Sequence, residues 1–212
     1  MLVIGPKAAA QFVKELDVVP DDAEPAKTSV RLAQGTNTAE FATLWQGVKP
    51  GRKVRSFGTC RLTDEPNAPA QPAATIARLG RGTIAAAWLN LGEHCADGKT
   101  PAARDFLDAL TRELFPKPMV EVSGSRDVDV SVARNHGKLQ IHLVNTSGPH
   151  ASKPFVDEIA PVGPLQVTLR AGSRPKRITV QPGGHAVDFK HAGGQTRFIV
   201  AELPIHSVVV VE

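Results

Sequence analysis

Glu93 and His94 stand side by side at the end of a long apolar run, with Asp97 three residues further on. A carboxylate, an imidazole and a second carboxylate can act as general acid and base, or the first two as a metal-ligand pair. In open α/β sheets, ligands bind beyond strand ends, and this trio falls at one. Glu93, His94 and Asp97 are therefore the candidate catalytic residues. The plainer alternative is a polar loop start that caps the next segment. Trp45, among polar residues and near Pro50, is the candidate aromatic for stacking on a sugar ring or packing at an interface. Trp88, inside an apolar strand, is expected in the core.

Other groupings carry less. His185, Asp188 and His191 lie close together, but His185 and Asp188 are an odd step apart and point to opposite faces of a regular strand. No metal site is expected. His142 and His206 read as solvated or interface residues on strands. The neighbouring carboxylates Asp21-Asp22, Asp64-Glu65 and Asp157-Glu158 all fall in Pro-rich loops and read as solvated surface. Ser123-Gly124-Ser125 lacks the spacing of a nucleophile elbow. The sequence contains no phosphate loop, no dinucleotide fingerprint and no HExxH, and no cofactor is expected. Cys60 and Cys95 have no CxxC partner, so they read as two free thiols or one disulfide.

The 25 Lys and Arg against 21 Asp and Glu leave a net charge of +4 with no block of like charge, so no nucleic-acid partner is expected. No apolar run approaches the ~18 residues of a membrane-spanning helix, so no membrane partner is expected. Met1 leads at once into Leu2-Val3-Ile4 with no cationic leader, so no signal peptide is expected.

These side chains need elements to hold them. Thr75–Leu79 and Thr83–Leu91 are apolar around Gly80-Arg81-Gly82, which predicts a hairpin. The second of these strands is apolar on both faces, which predicts cover on both sides. A helix is expected from Pro101 or Ala102, capped by Thr100. It carries Phe106, Leu107, Leu110, Leu114 and Phe115 on helical spacing and stops at Pro116 and Pro118. Upstream, Met1–Ile4 reads as a strand and KAAAQFVKEL as a helix presenting Phe12, Val13 and Leu16, together an α/β unit. Ser29–Ala33 and the irregular Lys53–Leu62 read as strands, and Glu40–Gly47 as a short helix or strand. From Met119 onwards the pattern is β. Asp127–Arg134 and Lys138–Val144 alternate around an Asn135-His136-Gly137 turn, and further short strands follow from Leu165 to Val211. Eight short strands in the last ~95 residues predict an antiparallel sandwich.

Several stretches together are similar to a known family: GRGTIAAAWLNLG, ARDFLDALTRELFP, VEVSGSRDVDVSVAR, LQIHLVNTSGPH, PVGPLQVTLR and IHSVVVVE. They resemble the C-terminal portion of large bacterial glycoside hydrolases of the family 42 β-galactosidase kind. There a catalytic TIM barrel is followed by a trimerisation domain of flavodoxin-like fold and then a small β-sandwich. The resemblance implies α/β plus all-β architecture: a truncated flavodoxin-like domain over residues 1–117 and an antiparallel β-sandwich over residues 118–212. It implies a homo-oligomer or a catalytic barrel as partner, contact with carbohydrate, and a fragment of a longer protein, whose compartment is left open between secreted and periplasmic. The family's acid and nucleophile glutamates belong to the barrel, so no position here inherits them. The function expected is a non-catalytic accessory and assembly region. The alternative is a stand-alone hydrolase of glycosides or esters with Glu93, His94 and Asp97 in an inter-domain groove.

Overall fold

The computed structural model describes residues 1–65, 67, 69–97, 100–148 and 158–212, with the side chains of Ala96 and Asp97 set aside. The chain is mostly β and divides into two compact units, Met1–Lys117 and Pro118–Glu212.

In the first unit, β1 (Leu2–Ile4) leads into the short helix α1 (Pro6–Ala9) and a 3₁₀ turn, Ala10–Phe12. Strands β2 (Val18–Pro20), β3 (Ala26–Gln34), β4 (Asn37–Trp45), β5 (Val48–Pro50), β6 (Arg55–Leu62), β7 (Gln71–Leu79) and β8 (Gly82–Ala87) follow. Helices α2 (Leu91–Asp97) and α3 (Pro101–Leu114) close the unit. Six strands form one sheet in the order β1-β8-β7-β6-β3-β4, and β2 pairs with β5 in a separate ribbon.

Strand β8 is covered on both faces. Ala85 and Ala87 join the core cluster that holds Phe57, Ala103, Phe106 and Leu110, the last three from α3. Ile84, Ala86 and the following Trp88 join a second cluster with Val3, Leu16, Val18 and Val48. Burial on two faces requires cover on two sides and is indifferent to strand direction. Here β1 and β8 run parallel, while the other four pairings of the sheet are antiparallel. A flavodoxin-like layer, whose strands run parallel through helical crossovers, is therefore not shown by these pairings. Consecutive strands β3–β4 and β7–β8 turn back directly as hairpins instead.

Two local expectations are corrected, and one open between helix and strand is settled as strand. The helix expected from Lys7 loosens after Ala9 and ends at Asp17, whose φ of 47° is left-handed. Val18 N–H donates to Val13 C=O and Asp17 N–H to Lys14 C=O, the pair of bonds that closes a helix C-terminus around a left-handed residue. Leu16 is still fully buried and Phe12 and Val13 pack beside it. Glu40–Gly47 is largely strand, because β4 pairs with β3 along its whole length. The strand expected to reach Leu91 stops at Ala87. Asn90 N–H donates instead to Leu44 C=O, and Leu91 opens a helix.

In the second unit, one sheet is β10 (Val128–Asn135), β11 (Lys138–Asn145), β17 (His206–Val211), β13 (Ile178–Gln181) and β14 (His185–Ala186), in that order. The other is β15 (Phe189–Ala192), β16 (Gln195–Val200), β12 (Leu165–Leu169) and β9 (Val120–Ser123). Every pairing in these two sheets is antiparallel. Alternation decides which face is buried: Leu139, Ile141 and Leu143 from one sheet share a core with Leu165, Val167, Leu169, Phe198 and Val200 from the other. This is a sandwich-like pair of sheets. His136 and Gly137 make the tight β10–β11 turn, with φ of 47° and 76°.

Asn145, in the HLVNTSG stretch, is a structural clamp. Its buried amide donates to the carbonyls of Ala160 at 2.9 Å and Pro204 at 2.7 Å, and its Oδ1 accepts from Ser147 N–H at 2.9 Å. Among the described residues no helix is long and apolar enough to cross a membrane.

Candidate functional site

Glu93 and His94 lie in α2, not at a strand end. Glu93 is exposed and its Oε2 accepts from Asn90 Nδ2 at 3.0 Å. His94 is half-buried, with its ring 4.7 Å from that of Phe41 and its Nδ1 3.3 Å from Thr100 Oγ1. Thr100 precedes α3, but its hydroxyl makes no cap to the helix N-terminus because the imidazole takes it. Asp97 ends α2, and its side chain falls outside the described residues. The carboxylate and the imidazole are thus each held by a neighbour in the same unit, in an arrangement that braces α2 against β4 and the start of α3.

Trp45 closes β4. It is half-buried against the core that contains Phe106 and bridges to Leu89, and its buried Nε1 has no hydrogen-bond partner among the described residues. The ring face is largely committed to packing. Trp88 is fully buried and its Nε1 donates to Thr75 Oγ1 at 3.0 Å.

His185 is exposed on β14, Asp188 is exposed before β15, and His191 engages Thr196 Oγ1 at 2.9 Å. Among the described residues no group of three or more His, Cys, Asp or Glu side chains could hold a metal ion. His142 and His206 meet across β11 and β17. Their nitrogens are 3.2 Å apart, their rings within 11° of parallel and their centroids 5.4 Å apart, so one imidazole donates to the other. Spacing along the chain gave no hint of this pair, because the two residues are 64 positions apart. Asp21 binds Gln71 Nε2 at 2.8 Å, a structural use of one loop carboxylate. Asp157 lies outside the described residues.

Neither cysteine is in a disulfide. Cys60 on β6 is fully buried, and burial pushes its thiol up from 9.0 to about 12. The fold favours the neutral thiol, so this contribution to stability is complete below the unfolded value and is lost as pH rises from 9.0 towards about 12. Cys60 is expected to resist alkylation at mildly alkaline pH until denaturant opens the first unit, read by peptide mapping. Labelling in native buffer at the rate of the unfolded chain would contradict this.

One open feature of the second unit was missed by residue-type reasoning. It is a groove of about 560 Å³ over the sheet β15-β16-β12. Its side chains come from the solvent face: Gln166 and Thr168 on β12, Arg197 and Ile199 on β16, Lys190 on β15 and Asp188 just before it. The register sets the order. Lys190 lies directly opposite Arg197, Arg197 opposite Thr168, and Ile199 opposite Gln166. Such a volume is typical of small-ligand sites, roughly 300–1,000 Å³. The signal in the sequence is the polar half of the alternation in LQVTL and QTRFIV. It marks a solvent face, but not which strands stand side by side.

No protein-family model and no curated protein sequence matches this chain. Solved structures do match. The fold is similar to part of α-L-fucosidase isoenzyme 2 from Paenibacillus thiaminolyticus, with a TM-score of 0.67 at 16% identity, over 91% of this chain and 32% of that one. It is also similar to part of Gan42B, a GH42 β-galactosidase from G. stearothermophilus. A catalytic mutant of that enzyme gives a TM-score of 0.52 at 15% identity, over 95% of this chain and 24% of that one. The neighbours are glycoside hydrolases, and at these identities the likeness is one of fold. The chain spans about a third of the fucosidase and about a quarter of the β-galactosidase.

Proposed function

We propose that this chain is a non-catalytic accessory and assembly region of the glycoside-hydrolase kind, with the second unit making contact with carbohydrate. The observation that carries this reading is the fold likeness. It runs over nine-tenths of this chain and under one-third of a fucosidase, as expected of a part that accompanies a catalytic domain. Glu93 and His94 support a structural reading of α2, since each has a local partner. The parallel β1–β8 pair, with α1 and α3 on opposite faces of the sheet, supports reading the first unit as the closing part of a trimerisation-type layer. In that role the chain self-associates or docks on a catalytic barrel.

Size-exclusion chromatography with light scattering, and affinity electrophoresis through a panel of soluble polysaccharides, test the proposal together. A homo-oligomer that is retarded by at least one polysaccharide is expected. A monomer that migrates unchanged through every gel would sink it.

A further inference from the structure

The groove on the second unit carries a charge pattern that a neutral surface does not need. Lys190 and Arg197 face each other across β15 and β16. Like charges directly opposite on a sheet repel and destabilise it. Both are exposed, and among the described residues neither has an ion-pair partner; Arg197 donates to the neutral Gln195 Oε1 at 2.9 Å. Glu121, opposite Thr168 on the next strand, is taken by Arg170 at 2.6 Å. The groove thus holds two unneutralised cations against one carboxylate, Asp188.

We infer that this groove binds a carboxylate-bearing saccharide, a uronic acid unit within a polysaccharide. The inference rests on the accessory, carbohydrate-contacting reading above and names the class of sugar. Arg197 and Lys190 supply charge-assisted donors to the sugar carboxylate, which also relieves their repulsion. Asp188 accepts from sugar hydroxyls, which a purely anion-binding cradle would not want. Gln166 and Thr168, on the neighbouring β12, donate and accept alongside. Ile199, 55% exposed, offers an apolar patch to the C–H face of a ring. No exposed aromatic ring stands among these groups, so recognition falls to charge and hydrogen bonds.

The test uses the whole chain in affinity electrophoresis and titration calorimetry with polygalacturonate, a neutral galactan and inorganic phosphate. Polygalacturonate is expected to bind at least about tenfold tighter than galactan, and Lys190→Gln/Arg197→Gln to lose about tenfold or more, the size expected for hydrogen bonds to charged groups. Raising the salt concentration should weaken binding further. Lys27→Gln/Arg81→Gln removes the same charge from exposed positions in the first unit and should bind as wild type does. The thermal midpoint of the groove variant should equal or exceed that of wild type, since a repulsion is removed. A fall in that midpoint would overturn the account of the pair.

Several results would overturn the inference while leaving the accessory reading intact: galactan bound as well as polygalacturonate, or equal losses in both double variants. Inorganic phosphate binding as tightly as polygalacturonate and displacing it would also overturn it, by showing an anion site with no use for the sugar. Binding of no polysaccharide at all would remove the carbohydrate reading and the inference together.

Discussion

Trp88→Ala is expected to destabilise the first unit by about 3–5 kcal/mol, the range for truncating a large buried aromatic. Trp88 is fully buried and belongs to the cluster that joins β8 to Leu16, Val18 and Val48. Removing the indole opens a cavity between the sheet and its cover of α1 and the β2–β5 ribbon. It also strands Thr75 Oγ1, which is fully buried and accepts the indole N–H at 3.0 Å. Trp88→Phe separates the two effects. It keeps most of the volume and loses the donor, so its cost should fall to about 1–3 kcal/mol. Denaturant unfolding followed by tryptophan fluorescence reads the result. The chain has two tryptophans and no tyrosine, and Trp45 and Trp88 both lie in the first unit, so wild type, and the Trp88 variants through the Trp45 they keep, report on that unit alone. A loss below about 1 kcal/mol for Trp88→Ala would mean that the cluster is not packed as described.

Gly58→Ala is expected to cost several kcal/mol through a different route. Gly58 sits in β6 with φ of 61°. A left-handed conformation costs an L-residue about 1–2 kcal/mol by itself. A Cβ there would also lie 2.5 Å from Phe106 Cε2, 2.9 Å from the Ala33 carbonyl oxygen and 3.0 Å from Gln34 Oε1. The ring can give only by disturbing its edge-to-face contact with Phe57, whose centroid is 5.3 Å away, and the carbonyl is backbone. The expected outcome is an earlier unfolding midpoint in the same fluorescence assay, with α3 loosened from the sheet. An unchanged midpoint would show that the glycine is dispensable.

The same glycine explains an irregularity visible in the sequence. Phe57 and Cys60 are three residues apart and both buried in one cluster, which strict strand alternation forbids. A left-handed residue between them resets the alternation, so Lys53–Leu62 could be read as a strand but not as a regular one. Thr100 shows the opposite case. It stands in a good capping position, yet its hydroxyl turns to His94, a choice made by a helix that packs alongside.

The candidate site divides in the same way. Glu93 and His94 were conspicuous because they are adjacent in sequence, and the fold gives each a local partner. The groove residues were inconspicuous because Gln166, Lys190 and Arg197 are ordinary solvent-facing residues on their own strands. They become a site only when β15, β16 and β12 align.

What the sequence determined by itself is local. The alternation of Lys138–Asn145, the positive-φ turn at His136-Gly137 and the apolar stripe of α3 depend on neighbours within a few residues, and short-range sterics and burial are enough to set them. The tertiary structure alone decided the long-range partners: β1 beside β8, His142 against His206, and Lys190 opposite Arg197 in a groove floored by β12. Those choices depend on which strands share an edge and in what register. A period-two pattern says which side of a strand is wet, and it carries no information on which other strand stands next to it.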